Sequence, residues 1–192
     1  MRWLKTMGYY LGSIFKIIFG FKNWLSTLPL FFGKPTPTRL LLKLRKLPIE
    51  ILVRSAMDIW SVKETFIDKF YTRYGVPIKN GWTVMDIGAG IGEYCLYAAW
   101  EKPDVRVYGF EPFPDSFNLL QRNLEINKIY TVVTFQKAVW SETGSVNLDL
   151  TQGEPLQISS QMIENKREEI ESLVVEAVSL ETAMDEAHID KI

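Results

Sequence analysis

The chain has 192 residues, 47% hydrophobic and 23% charged, with a net charge of −1. It is too apolar for a disordered tail and long enough to bury a core. Its single cysteine, Cys95, and single histidine, His188, exclude a disulfide framework, a Cys/His metal cluster and a Ser-His-Asp arrangement, so no metal is expected and Cys95 reads as a small core residue.

The small net charge conceals an asymmetry. Residues 1–48 carry nine basic side chains and no acidic one, whereas the remainder holds thirteen basic against 23 acidic. Within residues 1–33, Leu4, Met7, Leu11, Ile14, Ile18, Phe21, Leu25 and Leu28 recur at spacings of three and four, which predicts a basic amphipathic helix. Trp3, Tyr9, Tyr10 and Trp24 are interfacial residue types, and the absence of acids suits anionic headgroups. Residues 1–32 are therefore expected to make peripheral membrane contact; the competing reading is a helix pair packed on the rest of the chain. A spanning helix needs about 20 mostly apolar residues, and Lys16 and Lys22 interrupt every such window. Lys16, which splits the apolar stretch, also argues against a signal peptide. The aliphatic content of this segment argues against nucleic acid as partner.

Pro29, Gly33, Pro35 and Pro37 mark a linker. Residues 34–80 then read as this linker followed by a helical segment, over 47–74, that precedes a sheet. Residues 84–92, VMDIGAGIG, run from a buried strand into a glycine-rich turn and on into a helix, the pattern of a nucleotide-cofactor site. A dinucleotide fingerprint would place Gly or Ala where Glu93 stands, and a glutamate there would obstruct the helix-strand contact and repel a pyrophosphate. The pattern is instead D-x-G-x-G-x-G, with Asp86 two residues before the first glycine. That suits a cofactor bearing an amino group and a sulfonium, S-adenosylmethionine.

Residues 105–110 form a second predicted strand, ending in Glu111-Pro112. Glu111 lies 19 residues beyond Gly92, where a carboxylate can accept both ribose hydroxyls of an adenosine ligand. Pro114 and Asp115 suit a first helical turn, and Phe117, Leu120 and Leu124 share one face of the following helix. Residues 131–138 supply a third strand, and 145–150 and 174–178 two further short ones. Residues 151–172 read as a polar insertion with a short helix over 162–170. The order predicts an α/β fold over residues 81–192 with a right-handed parallel sheet and the ligand at the carboxyl ends of its strands.

The runs VMDIGAGIGEYCLYAA, VYGFEPFPDSFNLLQRNLEIN, VTFQKAVWSETGSVNLDL and VEAVSLETAMDE resemble the FkbM-type S-adenosylmethionine-dependent methyltransferases over residues 54–192. The resemblance implies a class I, Rossmann-like methyltransferase fold and methyl transfer, usually to oxygen, with hydroxyls or carboxyls of small molecules and glycans as acceptors. It places Asp86, Gly88, Ala89, Gly90 and Gly92 along the methionine and ribose side of the cofactor and Glu111 on the ribose. Pro112 and Phe113 would flank the adenine, with Ala138 and Val139 beside its ring. Arg54, Asp58, Trp60 and Glu64 resemble the family's lead-in, which closes over the cofactor. The bland alternatives are a capping carboxylate at Asp86 or Glu111, a plain tight turn at the glycines, and an outward-facing amphipathic helix for the lead-in.

The family pattern breaks off at residues 189–192, where relatives open a strand of the form I-D-L-L-K-x-D-x-E-G. The expectation is the amino-terminal portion of a class I methyltransferase, an incomplete sheet lacking its carboxyl-terminal strands, cytoplasmic and at the inner face of the membrane. No catalytic base is identifiable, and the absent half is its expected source. A fragment of a longer protein is favoured; a short, non-catalytic cofactor-binding protein acting through membrane or partner attachment is the alternative.

Overall fold

A computed structural model describes residues 2–32, 39–73, 76–100, 102–149 and 172–189. The polar insertion, its helix at 162–170 and the chain from residue 190 onward lie outside the described residues.

The amino-terminal helix α1 (Arg2–Gly20) stops well short of the predicted residue 33. Beyond Gly20 the backbone is captured by a strand: Phe21 bridges Leu44, the Lys22 N–H donates to the Lys43 carbonyl at 2.8 Å, and the Arg45 N–H donates to the Gly20 carbonyl at 2.8 Å. The Asn23 amide completes the junction, donating to the Leu41 carbonyl and accepting from the Lys43 N–H. A short 3₁₀ turn (Trp24–Thr27) and helix α2 (Leu28–Phe31) follow. Ser13, Ile17 and Phe21 form the buried stripe, whereas Leu11, Ile14, Phe15 and Phe19 are exposed. Lys16 reaches Asp68 at 2.6 Å, so this segment is fastened to the body by an ion pair as well as by packing.

The captor is an antiparallel hairpin of β1 (Leu40–Lys43) and β2 (Glu50–Val53), with Leu42 opposite Ile51. It replaces the start of the helix expected over 47–74. Ile49, Ile51 and Val53 are all fully buried, a period of two that only a strand presents to one side. Helix α3 (Ala56–Val62) begins at a capping box: Ser55 Oγ accepts from the Asp58 N–H at 3.1 Å, and Asp58 accepts from the Ser55 N–H at 3.3 Å. It runs on into a π turn (Lys63–Ile67), where Lys63 is fully buried, pairs with Asp68 at 2.9 Å and lies over the Trp60 ring.

The Rossmann-like α/β unit comes next. Parallel strands β3 (Thr83–Ile87), β4 (Arg106–Phe110) and β5 (Val132–Phe135) lie side by side in that order. Helices α4 (Glu93–Ala99) and α5 (Pro114–Ile126) are the two crossovers. The predicted third strand, 131–138, proves to be two elements. Its first half pairs with β4, while Ala138 opens β6 (Ala138–Trp140), which pairs in parallel with β8 (Ser172–Ser179). At the break, Lys137 binds Glu176 at 2.9 Å and Glu186 at 2.8 Å, which anchors the chain to the second sheet. Strand β7 (Gly144–Asp149) closes that sheet antiparallel to β8, and helix α6 (Leu180–Glu186) starts at the Ser179 cap.

Two asparagines join hairpin to helix. Asn123 on α5 is fully buried; it accepts from the Leu52 N–H at 2.7 Å and donates to the Leu52 carbonyl at 3.1 Å and the Ile91 carbonyl at 2.9 Å. One turn on, Asn127 repeats the exchange with Glu50 at 3.0 and 2.7 Å. The side-chain amides thus act as a strand edge for β2, and Asn123 also fixes the glycine turn that follows β3.

Candidate cofactor site

The turn between β3 and α4 takes left-handed backbone at Gly88 (φ +77°), Gly90 (φ +54°) and Gly92 (φ +84°), conformations that only glycine adopts cheaply. At Gly92 space is equally decisive: a Cβ would stand 2.9 Å from Leu120 Cγ and 3.2 Å from its Cα, so α4 can start against α5 only if this residue lacks a side chain. The Gly88 and Ala89 N–H groups donate to the Phe110 carbonyl, holding the turn over the end of β4.

Glu111 reaches into this turn. Its Oε2 accepts from the Gly90 N–H at 2.8 Å and its Oε1 from the Phe113 N–H at 2.9 Å. Burial pushes its pKa up, and the two backbone donors, together with the Arg54 charge, pull against that rise. Above it lies a cleft of about 370 Å³, within the range of small-ligand sites. One wall is the glycine turn with Glu111, Pro112 and Phe113; the other is α3 and the turn after it, with Arg54, Asp58, Trp60, Ser61 and Glu64.

Of the residues predicted from sequence, Gly88, Gly90, Glu111, Pro112 and Phe113 line this cleft, as do the four lead-in residues. The other five stand behind it. Asp86 accepts a hydrogen bond from the Cys95 thiol at 3.2 Å and is pushed up in pKa by burial. Ala89 packs into the main core and Gly92 forms the helix junction. Ala138 belongs to a separate apolar cluster against which Phe113 packs, and Val139 packs against Phe110 and Val178. Leu148 of β7 reaches the cleft wall where those two do not.

Arg54 organises the lead-in. Its Nε and Nη2 bond Asp58, and its Nη1 bonds Asp115 at 2.9 Å and Ser116 at 3.0 Å, which fastens the start of α3 to the first turn of α5. Burial would lower its pKa, but the hydrogen bonds and charge of Asp58, then of Asp115, raise it above the usual value.

Glu93, which in the sequence argues only against a dinucleotide fingerprint, is in the cleft wall. It is 8% exposed, takes the Ser61 hydroxyl on Oε1, and leaves Oε2 without a hydrogen-bond partner. Burial drives its pKa up to about 7. Its position could have been anticipated, because a side chain in the first helical turn leans back toward the helix start and hence over the glycine turn. Among the described residues, no group of His, Cys, Asp and Glu could hold a metal ion, and no helix is long and apolar enough to cross a membrane.

No protein-family model matches the chain. It is 40% identical over 82 residues to 31-O-demethyl-FK506 methyltransferase FkbM of Streptomyces tacrolimicus, a match covering 43% of this chain and 31% of that protein. It is 34% identical over 86 residues to Methyltransferase 1 of Beauveria bassiana, covering 45% and 34%. Over that stretch it is similar to FkbM and to other curated methyltransferases. The chain spans about a third of the length of these relatives. A partial likeness exists to the crystal structure of M. jannaschii TYW2 in complex with AdoMet, at 20% identity and a TM-score of 0.36, covering 52% of this chain and 44% of that one.

Proposed function

We propose that this FkbM-type chain supplies the S-adenosylmethionine site of a methyltransferase, acting on an oxygen of a small molecule or glycan. Glu111 is the observation that carries the reading. Each of its carboxylate oxygens spends one lone pair on a backbone N–H and keeps another, so two neighbouring hydroxyls of a ribose can be accepted by a group already held rigid. Pro112 and Phe113 give an apolar surface for the adenine, with Ala138 and Val139 supporting it from behind. Asp86, Ala89 and Gly92 shape the glycine turn from below. In this reading residues 81–192 form the cofactor-binding unit, 34–80 the lead-in and 1–33 an attachment segment.

The bound cofactor supplies an electrophilic methyl group on a sulfonium. The protein's part is to align acceptor and donor and to keep water out. The lead-in serves the second task, since Trp60, Ser61 and Glu64 roof the cleft opposite the glycine turn. An oxygen acceptor accords with the 31-O position in the name of the Streptomyces relative. The exposed faces of Phe15 and Phe19, within a segment devoid of acids, support contact with an anionic membrane surface on the cytoplasmic side.

Calorimetry tests the cofactor. S-adenosylmethionine is expected to bind and a nicotinamide dinucleotide is not. Glu111→Ala should weaken binding by about 1.5 to 3 kcal/mol, the range for hydrogen bonds to a charged group. Unchanged affinity in a folded Glu111→Ala protein, or preference for the dinucleotide, would refute the assignment.

A further inference from the structure

We propose that Glu93 receives the α-ammonium group of the cofactor's amino-acid portion, with Ser61 as the residue that positions it. The inference rests on the reading of the cleft as an S-adenosylmethionine site and adds to it the group that reads the ligand's charge.

The geometry is specific. Glu93 opens α4 directly after the glycine turn, and its Oε2 lies 4.0 Å from where a Cβ on Gly90 would stand, beneath the part of the turn left open by the absence of side chains. The carboxylate is more than nine-tenths buried and lines the cleft with Gly90 and Glu111. Ser61 engages one oxygen and fixes the plane of the carboxylate; the Glu93 backbone N–H lies against the carboxylate, and Oε2 makes no well-formed hydrogen bond to the described residues. A buried carboxylate oxygen left unpaired is costly, and a ligand N–H in the cleft removes that cost.

The charges around it select a cation. Asp58 on α3 and Asp86 on β3 both raise the Glu93 pKa further, after burial as the main cause. Glu111 on the glycine-turn wall and Glu64 on the facing wall add carboxylates to the same cleft, and Tyr71 and Cys95 face Glu93 as neutral groups whose own pKa values it raises. The Arg54 cation is spent on Asp58 and Asp115. Such a site repels phosphate and attracts an ammonium or sulfonium. Asp86, the residue whose sequence position suggested this role, takes the Cys95 thiol and is not among the residues lining the cleft, so Glu93 is the carboxylate better placed for it. Binding then has a defined proton balance. A neutral Glu93 gives its proton to solvent as the ammonium arrives, and the resulting carboxylate accepts a hydrogen bond from it.

Titration calorimetry with S-adenosylhomocysteine, whose ammonium is intact, and with 5′-methylthioadenosine, which lacks the amino-acid portion, separates this role from a structural one. At about neutral pH, Glu93→Gln should weaken S-adenosylhomocysteine binding by about ten-fold or more and leave methylthioadenosine within about two-fold. Repeating the titration in buffers of unlike ionisation enthalpy should show a fraction of a proton released by the parent protein with S-adenosylhomocysteine, and none by the variant. Equal losses for both ligands, or undiminished affinity in the variant, would overturn the inference while leaving the cofactor reading intact. Proton release that persists undiminished in the Glu93→Gln variant would likewise overturn it. If the parent protein binds neither ligand, the cofactor reading itself falls and takes this inference with it.

Discussion

Replacing Asn123 by alanine should destabilise the protein by about 2 to 4 kcal/mol, far more than its polar character on a helix would suggest. The side chain serves three backbone groups: the N–H and carbonyl of Leu52 and the carbonyl of Ile91. Truncation leaves all three without their partner, and a buried group so orphaned costs about 1 to 3 kcal/mol. Leu52 sits in a half-buried strand where water can replace part of the loss, whereas the bond to Ile91 is wholly buried. The total therefore falls below the sum of three full penalties. Asn127→Ala is the internal control, since it removes the equivalent bonds to Glu50 at a half-buried site and should cost only about 1 kcal/mol. Urea denaturation of both variants, followed by circular dichroism, measures the difference. A loss under about 1 kcal/mol for Asn123→Ala, or a larger loss for Asn127→Ala, would refute the view that a buried amide clamps the hairpin to the glycine turn. Because Ile91 lies within that turn, Asn123→Ala should also weaken cofactor binding, although Asn123 does not line the cleft.

The remaining predictions concern charge and surface. Glu93 ionises at about 7 in the folded chain against an ordinary 4.5, so between those values the folded state holds the extra proton, and stability should fall as pH rises through that window. The full shift corresponds to at most about 3 kcal/mol; Glu93→Gln should flatten the slope in denaturation at about pH 5 and pH 8, and an unchanged slope would show that another group is responsible. Phe15→Ser with Phe19→Ser should abolish co-sedimentation with anionic vesicles at unchanged melting temperature, since both rings are exposed; equal sedimentation of parent and variant would locate any membrane contact elsewhere.

What could be read from the sequence was whatever carried its signal locally. The glycine turn, the strand before it, the helix after it and the carboxylate at Glu111 are encoded within a few residues of where they act. The hairpin was legible in principle, because Ile49, Ile51 and Val53 alternate, but four-residue strands beside helical spacing at Met57 and Trp60 give too few periods to choose between the two. In α1 periodicity failed for the opposite reason. Apolar residues surround the helix, so the choice of Ser13, Ile17 and Phe21 as the buried stripe is made by the hairpin that captures Phe21, 23 residues away at Leu44. Asn123 gave no signal because its partner on β2 is 71 residues away and a mid-helix asparagine ordinarily faces water. Lys137, likewise, acts through Glu176 and Glu186, so the division of one predicted strand between two sheets had no local mark, and with it went the direct contact expected of Ala138 and Val139.

Glu93 is a different kind of failure, and a more useful one. The residue whose mismatch with a dinucleotide fingerprint argues against a pyrophosphate also lines the cleft, a second role that the spacing alone does not express. A carboxylate at the first position of the helix after a glycine turn must either leave the cleft or remain buried in it, and the small Ser61 opposite lets it remain. Once buried it raises the cost of an empty site, because ionisation without a counter-charge opposes folding in the same pH range where a cationic ligand would relieve it. The mismatch that disfavours one class of cofactor therefore supplies, in the same side chain, binding energy for the other, and the stability lost by the ligand-free protein as pH rises from about 4.5 to about 7 is the measure of how much of that energy is held in reserve.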